Sequence, residues 1–185
     1  MFRPQIQRTS VLVLLAFFIM LMVYCAVNSY EKEPTYGYNI KKKSIRIMQN
    51  SIESLREEFI SRGISSGLDS LSFGSFLIGP KKSPIQTTYG SLISKQSVLN
   101  LDFAAMIVEM LVELNVNKES KIAVSYTGSY PGANLAVLAA LEAMNISSII
   151  ISSCGSSEYG ATDSRFTWID MEKFLYENKI FSNSS

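Results

Sequence analysis

With 185 residues, the chain has room for one domain of ordinary size and an appendage. Its 17 Lys and Arg against 16 Asp and Glu leave a formal charge of +1, so no general attraction to nucleic acid or other polyanions is expected. Histidine is absent, which excludes a Ser-His-Asp triad, a Cys-His pair and any imidazole metal ligand, and Cys25 and Cys154 form neither a disulfide framework nor a metal spacing.

Residues 11–27 (VLVLLAFFIMLMVYCAV) are an unbroken apolar run behind Arg3 and Arg8. The run is at the short end of the ~17–25 residues that span a bilayer as a helix. It is long for the core of a cleavable signal peptide, and no small-x-small cleavage site follows it. Cys25 invites a lipidated reading, but Tyr24 stands before it where a small residue is needed. An uncleaved single-pass anchor is therefore the expectation, ahead of a cleaved signal or a lipidated cysteine. The two arginines of the tail place the amino end in the cytoplasm and the domain outside, whereas Lys32, Lys41, Lys42, Lys43 and Arg46 favour the opposite orientation. Because folded domains translocate largely regardless of such charges, an outward-facing domain is expected.

Behind a linker with Pro34 and Gly37, the pattern turns helical from about Lys41. Ile45, Met48, Ile52, Leu55 and Phe59 share one face, and Gly63 is placed to terminate the helix. Residues 64–90 are rich in glycine, serine and proline, with a short apolar patch at Phe73, Phe76, Leu77 and Ile78. Lys81 and Lys82 fall in an exposed turn, and residues 85–89 read as a short strand. Asn100 or Asp102 can cap a helix to about Leu114, with Phe103, Met106, Ile107, Met110, Leu111 and Leu114 as its buried stripe.

Residues 122–126 then read as a strand, residues 127–134 (TGSYPGAN) as a loop, and the alanine- and leucine-rich run from Asn134 or Leu135 as a helix. Residues 148–153 (SIIISS) read as a second, buried-type strand. Strand, helix and strand make a βαβ unit with parallel strands and a right-handed connection. A last helix over about residues 166–178 buries Trp168, Met171, Phe174 and Leu175, and no further strand follows. The expected fold is thus α/β: a Rossmann-like parallel sheet with flanking helices, incomplete, behind one N-terminal transmembrane helix. The expected organisation is a tail (1–10), an anchor (11–28), a linker (29–44), a membrane-proximal helix (45–63) and an α/β domain (64–185). That domain is either completed by another chain or is the front half of a longer one.

Ligands of such sheets bind beyond the carboxyl ends of the strands. There, TGSYPGAN offers the first N–H groups of a helix with the hydroxyls of Thr127 and Ser129, and with Asn134 (an arrangement suited to a phosphate or carboxylate). The same residues also suit a plain strand-to-helix turn. Ser153, Ser156 and Asp163 lie on the facing loop. As a nucleophile Ser129 would need Lys95, Asp163 or a group of another chain as its base. Residues 155–162 have the glycine spacing of a phosphate-binding loop, but Ala161 stands where its lysine belongs and Glu158 would repel a phosphate, so a nucleotide is not expected. Cys154 reads as a buried small residue ahead of a reactive thiol, and Asp163, Asp170 and Glu172 as solvated or capping carboxylates ahead of acid–base groups or ligands of a hard cation, with Asp163-Ser164 placed to cap the last helix. No cofactor and no metal site is expected.

Three segments carry a resemblance: GPKKSPIQTTYGSLISKQSVLNLDFAAMIVEML, SYTGSYPGANLAVLAALEAM and IIISSCGSSEYGATDSRFTWIDMEKFL. Between about residues 79 and 175 the chain resembles the poly-gamma-glutamate system protein family, most specifically in GSYPGAN and FTWIDME. The resemblance covers the front half of that family's length. It implies a bacterial, membrane-associated protein with a role in making or exporting poly-γ-glutamate. Its partners would be the membrane, other subunits of that system, and the polymer or its chain end. It assigns no catalytic residues. The alternatives are a γ-glutamyl hydrolase or transferase acting through Ser129, and a scaffold that only positions other membrane subunits.

Overall fold

The computed structural model describes residues 9–29, 37–64 and 73–185, and these form a mixed α/β protein with two small parallel sheets. The chain divides into two units, 1–36 and 37–185. Among the described residues of the first, one helix, α1 (Thr9–Asn28), is long and apolar enough to cross a membrane, with none of its side chains buried.

In the second unit, α2 (Tyr38–Ser61) buries Met48, Ile52, Leu55 and Phe59 along one side, as their spacing predicts. Gly63 ends it at φ +63°, a conformation only glycine adopts without strain, and Ile64 N–H closes the turn on Phe59 C=O at 3.0 Å. After a short 3₁₀ turn (Ser75–Leu77) come β1 (Gln86–Thr88), α3 (Leu92–Ser97) and α4 (Asp102–Glu113). The stripe expected on α4 is turned. Its buried residues are Ala104 and Val108, while Met106, Met110 and Leu114 are exposed. Small residues win that face because α4 packs closely against both α2 and α5.

The βαβ unit forms as read: β2 (Lys121–Thr127), α5 (Pro131–Met144) and β3 (Ser147–Ser153), the strands parallel and paired from Lys121↔Ser147 to Thr127↔Ser153. α5 starts three residues earlier than expected, because Pro131 takes the first helical position, where a missing N–H costs nothing. Its leucines and alanines are buried between α2 and α4, the alanines letting the neighbouring backbones come near. Asn145, at φ +54°, caps its end.

β4 (Ser156–Ser157) pairs in parallel with β1, and α6 (Trp168–Glu177) closes the fold. Trp168, Met171 and Leu175 of α6 are fully buried, and the Trp168 ring meets the Tyr126 ring edge-on at 5.8 Å. Burial, and then the Glu172 carboxylate, push the Tyr126 phenol above its ordinary pKa. The cap of α6 is Thr167 with Asp170 in a reciprocal box, not the Asp163-Ser164 pair. β3 is not buried on both sides: Ile150 is covered, but Ile149 and Ile151 are each 69% exposed.

Candidate functional site

Three segments converge past the carboxyl ends of β2 and β3: the β1–α3 connection, the β2–α5 loop and the β3–β4 loop. The two loops named from sequence do not stand apart as walls. Gly128 N–H donates to Gly155 C=O at 3.0 Å, and Ala161 N–H donates to Gly128 C=O at 2.7 Å. A side chain on Gly160 would strike the Ser156 hydroxyl and the carbonyls of Gly128 and Ser129, so glycine is what allows this approach. Gly132 plays the same part on the other side. A Cβ there would lie 2.8 Å from Val98 C=O, and this contact sets the first turn of α5 against the end of α3.

The six residues named in advance separate by what their polar atoms already do. Thr127 Oγ1 accepts from Ser129 N–H at 3.2 Å, and Ser129 Oγ accepts from Ser157 N–H at 3.0 Å. Both hydroxyls therefore keep their own proton for an outside acceptor. Asn134 is buried and ties its amide to Thr127 C=O at 2.9 Å, which braces the loop. Ser156 is fully buried and directs its hydroxyl at Gly128 C=O (2.9 Å) and Ser157 C=O (3.0 Å). Ser153 sits at the rim, accepting from Gly155 N–H at 3.3 Å. Asp163 is held by Arg165 at 2.6 Å, and that hydrogen-bonded guanidinium keeps its carboxyl below the usual range.

At the start of α5, Pro131 has no N–H, and the N–H groups of Gly132 and Ala133 meet no acceptor among the described residues. Such a turn, preceded on the same loop by two hydroxyl donors, can hold a carboxylate or phosphate.

The most unusual group in the site is one the sequence did not single out as a centre. Lys95, on α3, is 2% exposed. Its Nζ lies 2.6 Å from Ser157 Oγ and 3.4 Å from the centroid of the Tyr130 ring. Among the described residues it has no carboxylate partner. Burial lowers its pKa from the ordinary lysine value. α3 is fixed in place by Ser91, whose hydroxyl accepts from Ser94 N–H at 3.4 Å, and by Gly90 N–H, which donates to Glu158 at 3.3 Å. Ser157, Glu158 and Tyr130 thus belong to the site; of this group the sequence named Lys95 only as a base for Ser129 and Glu158 only as a charge that would repel a phosphate. The amine instead meets Ser157.

Cys154 is exposed, contrary to its reading as a buried small residue, because the β3–β4 loop turns its side chain outward. Glu172 is buried, accepting from Ser152 Oγ at 2.6 Å. Among the described residues, no group of three Cys, Asp or Glu side chains is arranged to hold a metal. Comparison with family models, curated proteins and solved structures finds no match to the chain.

Proposed function

We propose that this chain is a membrane-anchored accessory protein of bacterial poly-γ-glutamate synthesis or export, and that it holds a carboxylate of the polymer or its chain end at the start of α5. In this reading α1 is an uncleaved anchor in the cell membrane, with the domain on the outer face. The domain is a Rossmann-like α/β unit, and other subunits of the same system are its partners. The residues between 79 and 175 that resemble the family support the pathway, and the apolar helix α1 supports the anchor.

The observation that carries the ligand class is the first turn of α5, whose N–H groups meet no acceptor among the described residues. Gly132 and Ala133 N–H groups follow Thr127 and Ser129 on the same loop, whose hydroxyl protons are unspent, and among the described residues no carboxylate accepts from them. Hydrogen bonds to a charged acceptor contribute about 1.5–3 kcal/mol each, so one lost donor weakens binding roughly tenfold or more.

The test is calorimetric titration of the full chain in detergent with a short γ-linked glutamate oligomer. Saturable binding is expected, weakened about tenfold by Thr127→Val and by Ser129→Ala, and unchanged by Asp163→Asn. Absence of binding at millimolar oligomer, or equal binding by all variants, would sink the ligand assignment.

A further inference from the structure

The Lys95–Ser157 contact is not explained by a need for stability. A lysine normally keeps its ammonium in water or against a carboxylate. Here the amine is buried and faces a hydroxyl and an aromatic ring. Ser157 Oγ in turn has no hydrogen-bond partner among the described residues except that amine. Its backbone is held on both sides, N–H to Ser129 Oγ at 3.0 Å and C=O from Ser156 Oγ at 3.0 Å, and β4 pairs with β1. A fixed serine against a lysine with no carboxylate partner among the described residues is the arrangement by which a hydroxyl is activated without histidine.

We infer that Ser157 is an acyl-accepting nucleophile and Lys95 its general base, a Ser–Lys centre that acts on an amide or ester of a carboxylate-bearing acyl group. The nucleophile and base stand on geometry alone; that the acyl group is γ-glutamyl rests on the function proposed above.

The unprotonated amine accepts the hydroxyl proton across the same 2.6 Å that the ammonium spans as donor. Burial favours that unprotonated form. Ser157 Oγ then bonds to the acyl carbon, the carbon–nitrogen or carbon–oxygen bond of the substrate breaks, and the leaving group takes the proton from Lys95. The product is an acyl ester on Ser157. Water, or the amine of another chain, attacks that ester and gives its proton to Lys95, which returns it to Ser157 Oγ. Amide and water thus become acid and amine, or the acyl group moves to a new amine. Ser129 is a positioning residue, since its hydroxyl holds the Ser157 N–H. Tyr130, 38% exposed with its ring over Nζ, is the cover that must swing aside to admit substrate.

The test is covalent labelling of the full chain in detergent with a fluorophosphonate probe, the labelled residue being located by peptide mass spectrometry. In labelling, the phosphorus–fluorine bond breaks and a phosphorus–oxygen bond to serine forms. The expected label is on Ser157. It is absent in Ser157→Ala, slowed ~100-fold or more in Lys95→Met and faster in Tyr130→Ala, with a rate that rises with pH to a plateau only when Lys95 is present. Lys95→Arg, which keeps length and charge, serves where Lys95→Met fails to fold, and the same slowing is expected. No label on the folded wild-type chain, a label on Ser129, or a rate indifferent to both Lys95 variants would overturn the assignment. Hydrolysis of γ-glutamyl p-nitroanilide is measured beside acetyl p-nitroanilide. Labelled Ser157 with no preference for the γ-glutamyl compound keeps the Ser–Lys centre and removes the γ-glutamyl acyl group.

Discussion

The two faces of the β2–β3 sheet carry similar residues and lead different lives. On one face Tyr126 and Ile150 are buried under the helices, with Trp168 of α6 against Tyr126. On the other, Ile149 and Ile151 are each 69% exposed beside Ala123 and Ser125. Parallel sheets usually bury both faces, and the three consecutive isoleucines read as a strand of that kind. The difference teaches that the stability of this unit comes from one side, through α5 and α6, while the residues at the ends of the strands are held by the loops locking onto each other.

Removing the largest side chain of the covered face should have the largest effect. Trp168→Ala is expected to cost about 3–5 kcal/mol in chemical denaturation of the full chain, since the indole is fully buried. The sharpest contrast comes next. Ile150→Ala should cost about 2–4 kcal/mol, whereas Ile149→Ala, one residue away, should change stability by no more than about 0.5 kcal/mol. Equal costs at the two positions would mean that both faces are covered. Thr167→Ala removes the cap of α6, the helix on the covered side, and should cost about 1 kcal/mol.

The smallest effect concerns the turn leading into α6. Arg165 depresses the carboxyl pKa of Asp163, so the ionised carboxylate is favoured in the folded state. That contribution is fully present above the ordinary Asp range and is lost as pH falls through the lowered folded value. Asp163→Asn should therefore lower stability slightly at neutral pH, as exposed pairs contribute little, and leave the acid end unchanged, which flattens the acid limb of a stability-versus-pH curve. A loss at acid pH as large as at neutral pH would contradict this account.

The sequence made the βαβ unit, the covered face of α2 and the apolar side of α6 legible, because each rests on a periodicity that survives in the fold. It misplaced the start of α5, where Pro131 marks the first helical turn and not the loop. It missed α3 altogether, six residues whose helix is stabilised by Ser91 and by packing on residues distant in sequence. The Lys95–Ser157 pair spans 62 residues of chain and is brought together by β1 pairing with β4, a two-residue strand with no pattern to read. The stripe on α4 failed for a different reason: its large apolar residues were read as the buried side, and close packing selected smaller ones, Ala104 and Val108, instead.

The measurement that tests the central claim most directly is cell-bound and released poly-γ-glutamate in the producing organism, with the gene deleted and then restored. The account predicts that both pools fall or shift together on deletion and recover with the wild-type chain, but not with a Thr127→Val, Ser129→Ala double variant that still reaches the membrane. Polymer pools that are indifferent to the gene, or fully restored by the double variant, would contradict it.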